Sequence, residues 1–139
     1  MIRTATKDDL EAVYGLIRQL SYHDFTKDQF ESCYSCNLEN SHILVCEQNK
    51  CIYGCGVLSI HYHLHFSRKT AEVVNLIVNE NSRNRGIGKE LLASLEQVAA
   101  DNGCVCIEIA SGNQREAAHR FYKREGFAST HCKLTKALT

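Results

Sequence analysis

A chain of 139 residues has room for one hydrophobic core, so we expect a single domain over residues 1–139. The 16 basic side chains equal the 16 acidic ones, and this zero net charge argues against a general nucleic-acid-binding protein. No apolar run approaches a membrane span and no signal-peptide pattern is found, so we expect a cytoplasmic protein with no membrane contact.

The eight cysteines do not form a recognisable metal or disulfide pattern. Cys33 and Cys36 have CxxC spacing, but no second CxxC or histidine pair completes a zinc site. Cys104 and Cys106 alternate within a predicted strand. The cysteines are therefore expected to be small buried thiols, because free cysteine packs as a small hydrophobic residue.

The first 40 residues predict one short strand and two helices. Residues 2–5 are expected to form the strand, and a capping box over residues 6–9 precedes apolar residues at helical spacing from Leu10 to Leu20. A second capping box at Thr26 starts another helix. The link between the helices is short, polar and aromatic. By itself this segment could be a plain turn between two helices, although loops often carry function.

Two further strands follow, over residues 42–47 and 52–66, with Asn49-Lys50 at a tight turn. The second strand alternates sharply, because successive side chains of a strand point to opposite faces. One face carries Leu58, Ile60, Tyr62, Leu64 and Phe66. The other carries Val57, Ser59, His61, His63 and His65. We expect one face in the core and the other to present a row of imidazoles.

This histidine row has three interpretations. It could be a solvated polar strand face, or a wall that offers hydrogen bonds, positive charge or a proton acceptor to a substrate. It could also bind a divalent metal through two histidines, such as His63 and His65, together with a carboxylate. Histidine is a common metal ligand and also titrates near neutral pH, so the residue type alone leaves all three open.

A fourth strand is expected over residues 71–78, and it contains one unexpected charge. Glu72 lies near the start of the strand, where charged residues are depleted. It is either a strand-end charge that stays in water or a functional group.

The glycine-containing segment that follows this strand predicts an anion site. Arg83-Asn84-Arg85-Gly86-Ile87-Gly88-Lys89 joins the apolar end of the strand to an amphipathic helix. Glycines let a ligand approach the backbone, and the first N–H groups of a helix have no intrahelical partner. These donors and the helix dipole suit a pyrophosphate, with cationic side chains around it. The spacing is neither that of a P-loop nor that of a Rossmann fingerprint.

The remaining elements complete a βαβ unit and a last helix. Apolar residues recur over residues 87–99, and Asn102-Gly103 forms the predicted C-cap of that helix. A strand over residues 104–110 should run parallel to the fourth. Asn113 is expected to N-cap the last helix, and residues 127–138 to form a final strand.

Two segments together resemble the GNAT superfamily of N-acetyltransferases: the Arg-x-x-Gly-x-Gly loop and, after Asn113, Ala117-Ala118-His119-Arg120-Phe121-Tyr122-Lys123-Arg124-Glu125-Gly126-Phe127. The resemblance implies an α/β acyltransferase fold with a central mixed sheet of six to seven strands and about four helices. It also implies acetyl-CoA as cosubstrate and direct transfer of its acetyl group to a small amine in a ternary complex.

The same resemblance assigns roles to residues at three places: the end of the fourth strand, the glycine loop and the last helix. The acetyl-CoA-binding residues would be Leu76, Ile77, Val78, Arg83, Asn84, Arg85, Gly86, Ile87, Gly88, Lys89, Asn113, Ala117, Phe121, Tyr122 and Arg124. The resemblance makes Glu72 the general base that removes the amine proton, although one of His61, His63 and His65 could also serve. Tyr122 would protonate the departing thiolate, since a phenol keeps its proton at pH 7.

Three segments narrow the resemblance to the aminoalkylphosphonate N-acetyltransferases of bacterial phosphonate metabolism. They are His61-Tyr62-His63-Leu64-His65, the last helix, and Thr130-His131-Cys132-Lys133-Leu134-Thr135-Lys136-Ala137-Leu138. The implied acceptor has a primary amine and a phosphonate a few atoms away. The expected acceptor-binding residues are Tyr22, His61, His63, His65 and His131. Two alternative functions remain open: acetylation of another amine, and a non-catalytic acyl-CoA sensor. The protein could also form a homodimer.

Overall fold

The computed structural model describes residues 1–20, 24–65, 67–111 and 115–139. Its strands are β1 (Ile2–Thr4), β2 (His42–Gln48), β3 (Cys51–His63), β4 (Arg68–Val78) and β5 (Ile107–Ile109). Its α-helices are α1 (Leu10–Ile17), α2 (Lys27–Asn40), α3 (Ile87–Asp101) and α4 (Glu116–Arg124). Short 3-10 helices cover Lys7–Asp9 and Glu80–Ser82.

The strands form one mixed sheet in the order β1-β2-β3-β4-β5. The first four strands pair antiparallel, and β4 pairs parallel with β5. This confirms the predicted α/β fold and the βαβ unit, in which α3 makes the crossover. No helix in the described part of the chain is both long and apolar enough to cross a membrane.

The sheet has five strands among the described residues, where six to seven were expected. The missing element is the strand predicted over residues 127–138, which is an extended tail without regular structure. Its apolar side chains Leu134 and Leu138 are exposed. The alternation of the tail is that of a strand, but a strand needs a partner, and β5 has only three paired residues.

The expected extent and burial of β3 are also wrong at its distal end. The strand stops at His63 rather than at residue 66, and Tyr62 and Leu64 are 77% and 94% exposed. The sequence pattern gives these residues the same face as the fully buried Leu58. Alternation specifies a face of the strand, but burial also needs another segment to cover that face, and these two side chains remain exposed.

Each face of the sheet carries its own apolar core. The face covered by α3, called the α3 face, buries Leu58 and Val73 against Leu91, Leu92 and Leu95. The opposite face, called the α1–α2 face, lies under the first two helices. Its buried residues are Ala5, Val13, Leu16, Tyr34, Ile43, Val45, Cys55, Val57 and Ile77.

Glycine in β3 lets α3 approach the sheet closely. A Cβ on Gly54 would lie 2.8 Å from Leu91 Cδ1 and 2.9 Å from Ile87 Cγ2. A Cβ on Gly56 would lie 2.8 Å from Leu95 Cδ1. Separations under 3.0 Å are not tolerated. The short distance between α3 and the sheet therefore requires glycine, which has no side chain, at both positions.

The predicted caps and turn are confirmed. Thr6 and Thr26 each form a capping box, at the 3-10 helix before α1 and at α2. Asn49 and Lys50 both have positive φ, as expected for the two central residues of a tight hairpin turn. Gly103 follows the C-cap of α3 with φ +76°.

The expectation of buried thiols holds only for Cys46 and Cys55. Burial raises the pKa of the Cys55 thiol to about 12, because the thiolate would be desolvated. Five other cysteines are exposed, and Cys104 is half-buried. Cys104 and Cys106 precede β5 instead of lying within it, because that strand covers three residues and not seven.

Candidate active site

A cleft opens where β4 and β5 part. Their parallel pairing ends at Val73 and Ile109. Beyond this point a cavity of about 260 Å³ lies between the segments that continue from the two strands. Its lining residues are Leu20, Val73, Val74, Asn75, Leu76, Ile109, Ala110, Ser111, Arg115 and Tyr122. Since Leu20 follows α1 and Tyr122 belongs to α4, residues beyond the sheet itself also line the gap.

A β-bulge in β4 sets the direction of the side chains beside this cleft. The ladder pairs Val57 with Asn75 but Leu58 with Val73, so Val74 is an extra residue. Glu72 lies opposite Ser59, on the same face of β3 as Val57. Because of the extra residue, Glu72 and Asn75 share the α1–α2 face although they are three positions apart.

Tyr122 brings a phenol to the cleft from α4. The residue is only 8% exposed, and its ring contacts Phe121 and Phe127 at centroid distances of 5.3 and 5.9 Å. Burial raises the pKa of the phenol, while the positive charge of Arg115 acts in the opposite direction. Tyr122 therefore keeps its proton at neutral pH and is a hydrogen-bond donor at the cleft wall.

The glycine loop has the backbone geometry expected of an anion-binding turn. Asn84 and Gly86 have φ of +66° and +81°, and Gly86 is the N-cap of α3 without a side-chain capping bond. The first N–H groups of α3 therefore face outward with no capping side chain to occupy them. Arg83, Arg85 and Lys89 are exposed around this turn.

Gly88 brings the loop close to both β4 and α4. A Cβ on Gly88 would lie 3.6 Å from Val78 Cγ2 and 3.8 Å from Phe121 Cζ, so the helix start, the end of β4 and α4 converge here. Ile87 is buried in the α3 face. The other predicted cofactor residues of α4, Ala117 and Arg124, are exposed.

The predicted cap of α4 is not found at the expected position. Asn113 lies outside the described residues, and α4 begins at Glu116 with Arg115 in the N-cap position. Arg115 makes no side-chain capping bond and lines the cleft instead.

Glu72 is held by one imidazole of the histidine row. Its Oε1 lies 3.0 Å from His61 Nε2, and the two side chains are 29% and 44% exposed. Glu72 is a half-buried carboxylate with a defined partner on the α1–α2 face, one residue before Val73 of the cleft lining.

The next histidine is bonded in the same way. His63 Nε2 lies 2.8 Å from Thr70 Oγ1, and Thr70 is 1% exposed. The rings of His61 and His63 are 6.3 Å apart, and those of His63 and His65 are 5.3 Å apart. Neighbouring imidazoles are thus close enough to face one ligand, as the strand rise predicts.

The structure does not bring all the expected acceptor residues together. Tyr22 lies outside the described residues. His131 belongs to the exposed tail, where its Nδ1 is 2.7 Å from Thr130 Oγ1 of the adjacent residue. Among the described residues, no group of three or more His, Cys, Asp or Glu side chains could hold a metal ion. The metal hypothesis for His63 and His65 therefore gains no support.

Three polar cleft residues were not expected from the sequence. The sequence could have indicated Asn75, because it is a polar residue within an apolar strand. It could not have indicated Arg115 or Ser111, because both lie in a polar segment where such residues are common. The Ser111 hydroxyl is buried and has no hydrogen-bond partner among the described residues, which leaves an unsatisfied donor at the cleft wall.

A mixed sheet that splits beside a glycine loop is an arrangement suited to binding a nucleotide-containing ligand, and comparison with known proteins gives the family. The model of the acetyltransferase (GNAT) family matches residues 9–127, so the chain belongs to this family. This match confirms the predicted family and, at the level of the family, the predicted transferase activity and acetyl-CoA cosubstrate.

Among curated relatives, the chain is 34% identical to an aminoalkylphosphonate N-acetyltransferase of Salmonella typhimurium, over 99% of this chain and 90% of that protein. It is 25% identical to a thialysine N-epsilon-acetyltransferase of Bos taurus, over 91% and 82%.

Solved structures share the fold at lower identity. A transcriptional regulator from Bacillus halodurans superposes with a TM-score of 0.91 at 22% identity, over 99% of both chains. An aminoglycoside N-acetyltransferase in complex with CoA superposes with a TM-score of 0.89 at 19% identity, over 99% of this chain and 93% of that one.

Proposed function

We propose that the protein transfers the acetyl group of acetyl-CoA to the primary amine of a small molecule, and that this acceptor is an aminoalkylphosphonate. The observation that carries the proposal is the cleft between β4 and β5. Its lining residues include Asn75, which shares the α1–α2 face with Glu72, and Tyr122, whose neighbour Phe121 lies close to the start of α3. A thioester and an amine can therefore meet in one gap, as direct transfer requires.

The donor side of the proposal uses the loop and the start of α3. The pyrophosphate would accept hydrogen bonds from the outward N–H groups at Ile87, Gly88 and Lys89, with exposed cationic side chains of the loop around it. The pantetheine arm would then run past Val78 into the cleft. Backbone groups of β4 beyond Val73 have no β5 partner, so an N–H there can polarise the thioester carbonyl.

The acceptor side needs a base. A primary ammonium has a pKa near 10, so only about one amine in a thousand is neutral at pH 7. In this proposal Glu72 takes the proton, directly or through a water. The amine nitrogen then bonds to the acetyl carbon, the C–S bond breaks, and the thiolate of CoA takes a proton from Tyr122. The nitrogen releases its second proton as the amide forms, and Tyr122 regains a proton from water.

The phosphonate assignment rests on the Salmonella relative and on the histidine row. A phosphonate has acidic oxygens that accept hydrogen bonds from imidazolium or guanidinium groups. His63 ends β3 two residues after the carboxylate partner His61, His65 follows beyond the strand, and Arg68 pairs opposite His63. Arg68 would give the acceptor site a positive charge on the same face of β4 as Glu72, which suits an acceptor that carries both an amine and an anion.

A divalent cation bound by His63 and His65 is not a step of this proposal. Two imidazoles alone make a weak site, and the described residues offer no third ligand in a cluster. Addition of a chelator to the purified enzyme tests the point directly. Full turnover in the chelated sample would reject the cation, and loss restored by one metal would establish it.

A panel of amines tests the function. Release of free CoA is measured with aminomethylphosphonate, aminoethylphosphonate, a polyamine, an aminoglycoside, an amino acid and a peptide N-terminus. We expect the aminoalkylphosphonates to give the highest kcat/KM. Matched alkylamines without the phosphonate should lose at least tenfold, because one charge-assisted contact is worth about 1.5–3 kcal/mol. Turnover only on another amine would replace the substrate, and acetyl-CoA binding without any turnover would indicate a sensor.

Two further predictions belong with this function. All eight cysteines are free thiols, which fits a reducing compartment and supports the cytoplasm. The homodimer remains a prediction, and sedimentation of the purified protein would test it.

A further inference from the structure

The hydrogen bond between His61 and Glu72 is part of a repeated cross-strand arrangement. In the β3–β4 ladder His61 is opposite Thr70, and His63 is opposite Arg68. Each imidazole nevertheless bonds to the residue two positions further along β4: His61 to Glu72 and His63 to Thr70. The same offset occurs twice in succession, so the register of the hairpin produces both bonds.

The bond leaves half of the carboxylate free. His61 Nε2 contacts only Oε1 of Glu72, at 3.0 Å. An ionised carboxylate is an acceptor, so Nε2 carries the proton and donates it. The second oxygen, Oε2, still has its lone pairs for an ammonium or a water.

Glu72 has a flexible side chain with three torsions, and at 29% exposure the protein does not enclose it on all sides. Without a partner, such a carboxylate would sample several rotamers. A base must lie within hydrogen-bond reach of its proton, and errors of about 1 Å in position can cost up to roughly 100-fold in rate. A donor on one oxygen reduces that freedom.

We propose that His61 is a positioning residue, whose Nε2–H holds Oε1 of Glu72 so that Oε2 faces the acceptor amine. This inference rests on the proposed function, in which Glu72 is the base. His61 does not touch the substrate in this role, so it is removed from the set of phosphonate-binding residues. The phosphonate is left to His63, His65 and Arg68.

The identity of the bonded nitrogen allows a sharp test. Glutamine can place its amide nitrogen near the position of Nε2, whereas asparagine is shorter and reaches only about as far as Nδ1. In His61→Asn, kcat should fall about tenfold while KM for acetyl-CoA stays within twofold. His61→Gln should recover most of the loss. The matched control, His42→Asn on β2, should keep the wild-type kcat.

The role through Glu72 is tested by the double variant. If His61 acts only by holding the carboxylate, His61→Asn should cause no further loss of kcat in a Glu72→Gln background. An additional tenfold loss there would overturn the proposal. Equal kcat for His61→Asn and wild type, with Glu72→Gln impaired, would overturn it while the base assignment stands.

Failure of the proposed function gives a different result. Full turnover by Glu72→Gln would reject Glu72 as the base, and the positioning role with it. Independently of activity, long-range ¹H–¹⁵N NMR of the wild-type protein should show His61 with a protonated Nε2, and the Nε2 resonance should shift in Glu72→Ala. An Nε2 resonance unchanged by that substitution would contradict the bond itself.

Discussion

The two faces of β3 and β4 differ in kind, although they belong to the same two strands. On the α3 face, Leu58 and Val73 pack against leucines of α3, and Gly54 brings the helix into close contact. On the α1–α2 face, beyond Val57, the side chains that meet across the strands are imidazoles, a carboxylate and a hydroxyl. The α3 face is closely packed, and the α1–α2 face carries the side chains that we propose take part in the reaction.

The bulge at Val74 marks the change between these regions. A regular strand would place Glu72 and Asn75 on opposite faces, since side chains alternate with a period of two. The extra residue lets Val73 stay in the α3 core while both polar side chains face the α1–α2 side. We therefore expect substitutions on the α1–α2 face to alter the rate of acetyl transfer. Substitutions on the α3 face should instead alter the free energy of unfolding.

The largest effect is expected from Glu72→Gln, which keeps the shape of the side chain and removes the base. We expect kcat at pH 7 to fall about 100-fold, the lower end of the range for general-base catalysis. The midpoint of urea unfolding should change little. The matched control is Glu108→Gln, because Glu108 is the register partner of Glu72 on β5. If both variants retain full activity, neither carboxylate is the base.

Gly54→Ala tests the α3 face. The new methyl group would lie within 3.0 Å of Leu91 and Ile87, so we expect a loss of about 2 kcal/mol in the free energy of unfolding, as for overpacked cores. The control is Gly15→Ala in α1, where no atom lies within 4 Å. That change should stabilise by about 0.5–1 kcal/mol through helix propensity. Similar stability of the two variants in urea unfolding would contradict the close packing of α3.

Tyr122→Phe removes one hydroxyl from the cleft and keeps the ring contacts. We expect kcat to fall about tenfold, a modest loss because a thiolate of ordinary pKa near 8.5 leaves readily. KM for acetyl-CoA should stay near the wild-type value. Because burial raises the pKa of the phenol, the wild-type contribution of Tyr122 is present at neutral pH and is lost only in strongly basic solution. An unchanged kcat would remove Tyr122 from the reaction.

The smallest effect is expected at a polar contact near the start of the chain, away from the two faces of β3 and β4. Arg3 donates to both carboxylate oxygens of Asp9 at 2.8 and 2.9 Å and also pairs with Glu47. The hydrogen bonds from Arg3 lower the pKa of Asp9. The folded state therefore binds fewer protons than the unfolded one near pH 4, and this stability is present above that pH and lost as pH falls.

Asp9→Asn should cost about 1 kcal/mol at pH 7 and flatten the acid side of the stability profile. Urea unfolding between pH 3 and 7 measures both, with the exposed Asp8→Asn as control. A variant that keeps the wild-type loss of stability in acid would show that Asp9 is not responsible for it. The rate of acetyl transfer at pH 7 should not change, because this contact lies outside the cleft.

Local signals in the sequence predicted much of the fold. The capping boxes at Thr6 and Thr26, the turn at Asn49-Lys50 and the glycine loop each depend on residues within a few positions of one another. The βαβ unit followed from the order of its elements. The exposed tail and the exposed tip of β3 could not be predicted in this way, because burial depends on whether a distant segment covers the residue.

For the candidate site, the sequence by itself determined which chemical groups are available: a carboxylate in a strand, a row of imidazoles, a phenol on the last helix and a glycine loop before α3. Only the tertiary structure decided which of them meet. The pairing of His61 with Glu72 depends on the hairpin register, and the shared face of Glu72 and Asn75 depends on the bulge at Val74. The entry of Ser111 and Arg115 into the cleft depends on where β4 and β5 separate. Bulges and strand separation depend on contacts between segments far apart in the chain, and the register of a hairpin depends on the geometry of its turn, so residue alternation alone did not specify which groups meet.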